Sequence, residues 1–189
     1  DVEIITENWL EEMLQLCQQK DVGMVGAKLY YPDDTIQHAG VVVGLGGVAA
    51  HVLCKLPRDA EGYMGRLRCV QEISAVTAAC MMVKTSVFKA VGGFDEELKV
   101  AFNDIDLCMK VRKYGVKIVF TPYAELYHYE SKSRGMEDTP EKQLRFSREV
   151  NCFRRKWERE LLKGDPYYNP NLTLNNTDCS LRKQEKNGD

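Results

Sequence analysis

A chain of 189 residues, 44% of them hydrophobic, is long enough to bury the core of one domain, since domains commonly run about 100–200 residues. Its 26 Lys and Arg against 28 Asp and Glu give a formal net charge of -2, which excludes a bulk positive field and argues against a nucleic-acid partner. Seven scattered cysteines with no CxxC spacing argue against a disulfide framework or structural zinc and favour a reducing cytoplasm, and no apolar run reaches the ~20 residues of a membrane span.

In chain order, Asp1 to Ile5 reads as the tail of a strand and Thr6 as a helix N-cap, so the chain is expected to begin mid-domain. Leu10, Met13, Leu14 and Cys17 fall at i, i+3, i+4 and i+7, predicting a helix over 7–19 with that stripe on the core. Val22 to Tyr31 predicts a strand, ended by a turn at Pro32-Asp33-Asp34, and Ile36 to Val43 a second strand returning from it. Gly44-Leu45-Gly46-Gly47 lacks the spacing of a phosphate loop and reads as a flexible turn opening a surface excursion over 44–68.

Ile73 to Val83 is apolar and partly β-branched, predicting a buried strand, after which Thr85 caps a short helix closed at Gly92-Gly93. Asp104 to Tyr114 predicts a helix with Leu107, Cys108, Val111 and Tyr114 on one face and Gly115 at its end. Lys117 to Phe120 and Ala124 to Tyr129 read as two short strands separated by Pro122. Phe146, Val150, Phe153, Trp157 and Leu161 repeat at helical spacing, predicting a long helix and then a polar, mobile tail. Interleaved strands and helices imply an α/β class with a mixed sheet flanked by helices. The nucleotide-binding opening usual in such domains is missing, for there is no GxGxxG and no Walker sequence.

Asp104 and Asp106 stand two apart in a first helical turn, so they do not share a face. One can point into a cleft while the other serves the helix. Either can cap the helix and complement its dipole, and a carboxylate facing a cleft can take a proton from a sugar hydroxyl. His128 lies in a strand between Tyr127 and Tyr129 and points to the opposite face, as a structural histidine or a metal ligand. Glu130-Ser131-Lys132-Ser133-Arg134-Gly135 has the composition of a loop that closes over a diphosphate, or of a solvated charged turn. Asp1 and Glu3 alternate with apolar residues at a strand end, where carboxylates can hold Mg²⁺ or Mn²⁺ together with substrate phosphate. His38 and His51 have no partner spacing and read as structural.

Taken together, Asp1-Val2-Glu3, the run from Ser74 to Val83, Val91-Gly92-Gly93-Phe94-Asp95, Asn103-Asp104-Ile105-Asp106-Leu107, Gly115, Pro122 and His128 with Glu130 to Arg134 resemble, in order and spacing, a family-2 inverting glycosyltransferase of GT-A fold. The closest flavour is the bacterial rhamnosyltransferase-like group. The resemblance implies an acceptor and catalytic-base half over 1–163, a polar tail over 164–189, and an upstream nucleotide-binding half lying outside the sequence.

By the same resemblance, Asp1 corresponds to the last carboxylate of the family's metal-binding Asp-x-Asp motif, and His128 to a late metal ligand on the diphosphate. Asp104 corresponds to the general base, with Asn103 where Glu is commoner. Lys132 and Arg134 would grip the diphosphate, while Thr77, in the run to Cys80 on the acceptor side, and Asp106 would contact substrate. Mn²⁺ or Mg²⁺, a nucleotide-diphospho-sugar donor and a glycan acceptor are implied, in polysaccharide biosynthesis in the cytoplasm or at the inner face of a membrane. The alternatives are a non-catalytic carbohydrate-binding or scaffolding module, and an unrelated α/β domain in which Asp104 only caps a helix. Convergence of Asp104, His128 and Asp1 on one cleft separates the unrelated α/β domain from the other two readings, which only a transfer assay on the full-length protein tells apart.

Overall fold

The structure, a computed structural model, describes residues 1–129 and 139–183. The elements in chain order are β1 (Val2–Ile4), α1 (Trp9–Cys17), β2 (Val22–Tyr30), β3 (Ile36–His38), β4 (Val41–Val43), β5 (Ala49–His51), β6 (Gln71–Glu72), β7 (Met81–Val83), α2 (Thr85–Ala90), α3 (Asn103–Lys113), β8 (Lys117–His128), α4 (Pro140–Lys156) and α5 (Glu158–Lys163). Strands β2 and β8 run parallel at the centre of a mixed sheet. The outer edge of β8 is covered antiparallel by β6 and then β1, and that of β2 by β7 and then β3. A separate two-stranded sheet joins β4 to β5. This is the expected α/β class with a mixed sheet flanked by helices.

All nine residues of β2 are buried, because both its edges are paired and both its faces are covered, which is why it reads as a continuous apolar run. On one face α1 packs Met13 and Cys17 against Val25, Leu29, Val119 and Leu126. On the other, α3 places Leu107, Cys108 and Val111 over Met24, Ile118 and Phe120, and the end of α4 closes over them with Phe153 and the adjoining Trp157. Gly115, at φ 96°, reverses the chain between α3 and β8, a conformation that disfavours any side chain with a Cβ.

Several local expectations need correction. The buried stripe of α1 is rotated: Met13 and Cys17 are buried with Trp9 and Leu16 beside them, while Leu10 and Leu14 are exposed. Thr6 does not cap α1; its Oγ1 accepts the Glu125 N–H at 3.1 Å and ties the chain to β8. The segment 36–43 is not one strand, since Gly40 at φ 104° turns the chain from one sheet to the other. The segment 73–83 is likewise broken, by a 3-10 turn over Ala78–Cys80 before β7.

The excursion over 44–68 is not superficial: Leu45, Val48, Val52, Leu53 and Leu67 all lie in the main core. The two short strands around Pro122 are one strand, β8, whose pairing with β2 skips from Phe120 opposite Gly26 to Glu125 opposite Lys28. The skipped residues include the proline, which has no N–H to give the ladder. Tyr114 is exposed rather than on the buried face of α3. Where the sequence reads as a mobile tail after 163, the chain instead crosses back over the core, with Tyr168, Leu172 and Cys179 buried.

Candidate acceptor-side active site

The start of α3 is fixed by its own polar residues. Phe102 enters at φ 62° and ψ 7°, Asn103 Oδ1 accepts the Asp104 N–H at 2.7 Å, and Asp104 Oδ1 accepts the Ile105 N–H at 2.8 Å. The second oxygen of Asp104, Oδ2, accepts the Ala78 N–H at 3.1 Å. Asp104 therefore both holds an N–H in the first turn of its own helix and reaches across to the 3-10 turn that Thr77 opens, where Thr77 Oγ1 accepts the Ala79 N–H at 3.4 Å. Asp104 and Thr77 are brought together, each half-buried. The three-residue link after α3 turns the chain straight into β8, so the mouth of α3 lies toward the ends where β2 and β8 finish. In open α/β sheets that is the edge on which ligands bind.

Asp106 departs from its expected role in substrate contact. It is fully buried, its Oδ1 accepting Trp157 Nε1–H at 2.8 Å and pairing with Lys156 Nζ at 2.8 Å, while Oδ2 pairs with Lys110 Nζ at 3.1 Å. The carboxylate joins α3 to the end of α4 and faces no cleft.

Asp1 and His128 form a second pair. Val2 sits opposite His128, and the Asp1 carbonyl accepts the Tyr129 N–H at 2.9 Å. His128 Nδ1 lies 2.8 Å from Gln37 Oε1, and Gln37 Nε2 donates to the His128 carbonyl at 3.2 Å. That second bond fixes the amide orientation, so His128 Nδ1 is the donor to Gln37 Oε1. A carboxylate and an imidazole are donor types that Mn²⁺ or Mg²⁺ can share with phosphate oxygens, but here Val2 stands opposite His128 and Asp1 beside Tyr129, so the two side chains start from opposite faces of the β1–β8 ladder. Among the described residues no group of three His, Cys, Asp or Glu side chains gathers as a metal centre.

The two pairs occupy different heights of the sheet. Val76, next to Thr77, lies against Gly26, which pairs with Phe120. The Tyr30–Tyr127 pair is four β2 residues further along and His128 one residue past it, about 16 Å in all. Asp104 with Thr77, and Asp1 with His128, are thus separate neighbourhoods rather than one contact set. Lys132 and Arg134, with the loop from Glu130 to Gly135, lie outside the described residues. A cleft of about 640 Å³ opens at the opposite end of α3, between Arg112, Lys113, Trp157 and Tyr167, and holds none of the expected site residues.

The sequence did not reveal three partners. His38 and His51, read as unrelated, are each other's neighbours: their Nδ1 atoms are 2.9 Å apart and the rings meet edge to face. His38 is fully buried, and burial first, then the nearby His51 and His128, hold its pKa well below the usual histidine value. Gln37, which orients His128, gave no sequence signal. Glu149 did carry one, as a carboxylate within the apolar face set by Phe146, Val150 and Phe153. It is 3% exposed and accepts three consecutive backbone N–H groups, from Lys99, Val100 and Ala101, at 3.1, 3.1 and 2.9 Å.

A mixed sheet flanked by helices, with a helix mouth and a carboxylate toward its strand ends, is consistent with a GT-A-like architecture. The chain belongs to the glycosyltransferase-like family 2, whose profile matches residues 1–148. It is 58% identical, over 96% of its length, to an uncharacterized protein, y4gI, of Sinorhizobium fredii, and 38% identical, over 100% of its length, to the O-antigen biosynthesis protein RfbC of Myxococcus xanthus. It spans 20% and 14% of those two proteins. A further match, 36% identical over 62 residues, or 33% of this chain and 20% of the relative, is to an N-acetylglucosaminyl-diphospho-decaprenol L-rhamnosyltransferase of Mycobacterium tuberculosis. A glycosyltransferase-like function at the level of the family follows. Among the described residues no helix is long and apolar enough to cross a membrane.

Proposed function

We propose that the chain is the acceptor and catalytic-base half of an inverting hexosyltransferase domain. It moves a sugar from a nucleotide-diphospho-sugar to a hydroxyl of a glycan acceptor, in polysaccharide biosynthesis at the cytoplasmic side. The observation that carries this reading is the Asp104 carboxylate, fixed at the mouth of α3 by the Ile105 and Ala78 N–H groups and placed beside Thr77. Two backbone bonds leave each oxygen a further lone pair for an incoming hydroxyl.

Asp104 takes the proton of the acceptor hydroxyl as that oxygen bonds to the anomeric carbon. The bond from the anomeric carbon to the diphosphate breaks on the opposite face, the nucleoside diphosphate leaves with the electron pair, and the configuration inverts. Thr77 borders the acceptor. Asp1 and His128 would hold Mn²⁺ or Mg²⁺, which when bound offsets the negative charge of the departing diphosphate. Lys132 and Arg134 add charge-assisted bonds to the same group. Recognition of the base and ribose is assigned to sequence outside these 189 residues, in keeping with the small share of its relatives that the chain spans. Residues 1–189 alone are therefore expected to be inactive, with the stretch after 163 belonging to the same core as the half before it.

The test is Asp104→Asn in the full-length protein, followed by nucleoside diphosphate release from a panel of sugar nucleotides. The amide keeps the shape and one acceptor oxygen but cannot take the proton. Turnover should fall about 10²–10⁴-fold with donor KM little changed. Near-normal turnover would remove Asp104 from the base role and leave the scaffolding reading in its place.

A further inference from the structure

We infer that Glu149 is a positioning residue for Asp104, acting through the backbone of residues 99–102; this deepens the reading above and rests on it. One stripe of α4 grips the loop that feeds α3. Lys156 pairs with Asp95, Cys152 Sγ donates to Glu97 Oε2 at 3.3 Å, and Glu149 binds the three successive N–H groups of 99–101. Phe102 packs its ring against Phe153 and Phe146, with centroids 5.3 and 5.9 Å away. These α4 positions recur at helical spacing and so share one face.

The arrangement is more specific than helix docking requires. Consecutive N–H groups form a concave cradle that favours an anion, and here the anion is a side chain of α4. The cradle ends at Phe102, whose positive φ of 62° is unusual for an aromatic residue and whose carbonyl accepts the Asp106 N–H at 2.8 Å, opening α3. Two residues separate the last N–H held by Glu149 from Asp104. Arg145, with Nε 3.8 Å from Glu149 Oε2, is the cation beside the carboxylate. Apolar contacts of Phe153 and Trp157 already anchor α4, leaving Glu149 to set the path of the backbone into the base.

The test uses Glu149→Gln in the full-length protein, read in two ways. Gln keeps the size but turns an NH₂ toward amides that need an acceptor. Hydrogen exchange should speed up at least about tenfold at Lys99, Val100 and Ala101 and also at Ala78 and Ile105, whose amides are held by the Asp104 carboxylate, beyond whatever the fall in global stability accounts for. Turnover on the sugar-nucleotide panel should fall about 10- to 100-fold at unchanged donor KM, as expected for a displaced base, and Glu149→Asp should recover part of it. Phe153→Leu is the control for mere loosening of α4: its exchange at Ala78 and Ile105 should rise only in step with global stability. Unchanged exchange at Ala78 and Ile105 in Glu149→Gln, or unchanged turnover, overturns the proposal. If the wild-type protein releases no nucleoside diphosphate from any donor, the transferase reading falls, and the exchange measurement, which needs no substrate, still decides whether Glu149 places Asp104.

Discussion

Removing one member of a buried ionic cluster costs more than the cluster contributes, because the groups left behind lose their partner without regaining water. Asp106 is such a member, with Lys110, Lys156 and Trp157 Nε1 converging on it. Asp106→Ala should destabilise the fold by about 2–3 kcal/mol, under the ~3–5 kcal/mol of a fully enclosed pair because both lysines can turn toward water. Asp106→Asn, which can still accept from Trp157, should fall between. Urea denaturation followed by circular dichroism checks this; a loss under about 0.5 kcal/mol, the level of an ordinary surface substitution, would refute it. At this scale the sequence was half legible. The spacing of Asp104 and Asp106 separates them onto different faces, but of the partners that make Asp106 structural only Lys110 is local, while Lys156 and Trp157 lie about fifty residues further on. Glu149 was visible only as a charge among the aromatics of a predicted helix.

Gly26 in β2 shows how an element can be tied to the site by what it lacks. A Cβ there would stand 2.3 Å from Val76 Cγ1 and 2.6 Å from Val76 Cβ. Val76 has little room to retreat, since its N–H and carbonyl both meet Cys108 Sγ, at 3.4 and 3.5 Å, and the next residue is Thr77. Gly26→Ala should therefore cost about 1–3 kcal/mol as overpacking and should also disturb the Ala78 N–H bond to Asp104. A lower urea midpoint together with faster exchange at Ala78 is the expected pair of results; a midpoint equal to wild type would show that the turn adapts freely. The long elements, β2 and α3, were readable because burial on both faces or on one helical stripe writes a sustained pattern. The segments 36–43 and 73–83 were not, since an apolar run looks the same in a strand and in a buried turn. Pro122 suggested a break where β8 only bulges, because residues 121–124 are passed over in the pairing with β2 and the strand does not need the proline's N–H.

Across the whole molecule, three tyrosines fasten the sheet and the C-terminal crossing, the second of which is where the sequence reading of a mobile tail gave way. That segment looked polar because only a few of its side chains face inward. Tyr30 donates to Glu125, Tyr167 to Glu72, and Tyr168 to the Thr173 carbonyl at 3.0 Å. Burial first, and then the Glu72 carboxylate, pushes Tyr167 up to about 12; burial and Glu125 raise Tyr30, and burial and Cys179 raise Tyr168. Each folded-state value lies above the unfolded value near 10, so all three contributions are fully present below pH 10. Above it the unfolded chain releases protons that the folded chain retains, and stability falls as pH rises toward the folded values. The urea midpoint should accordingly drop steadily between about pH 9 and 11.5. Tyr30→Phe should flatten that slope most, because Tyr30 is the fully buried one and its loss leaves Glu125 still paired with Arg58 at 3.4 Å. Identical slopes for the variant and the wild type would mean that Tyr30 does not link folding to alkaline pH.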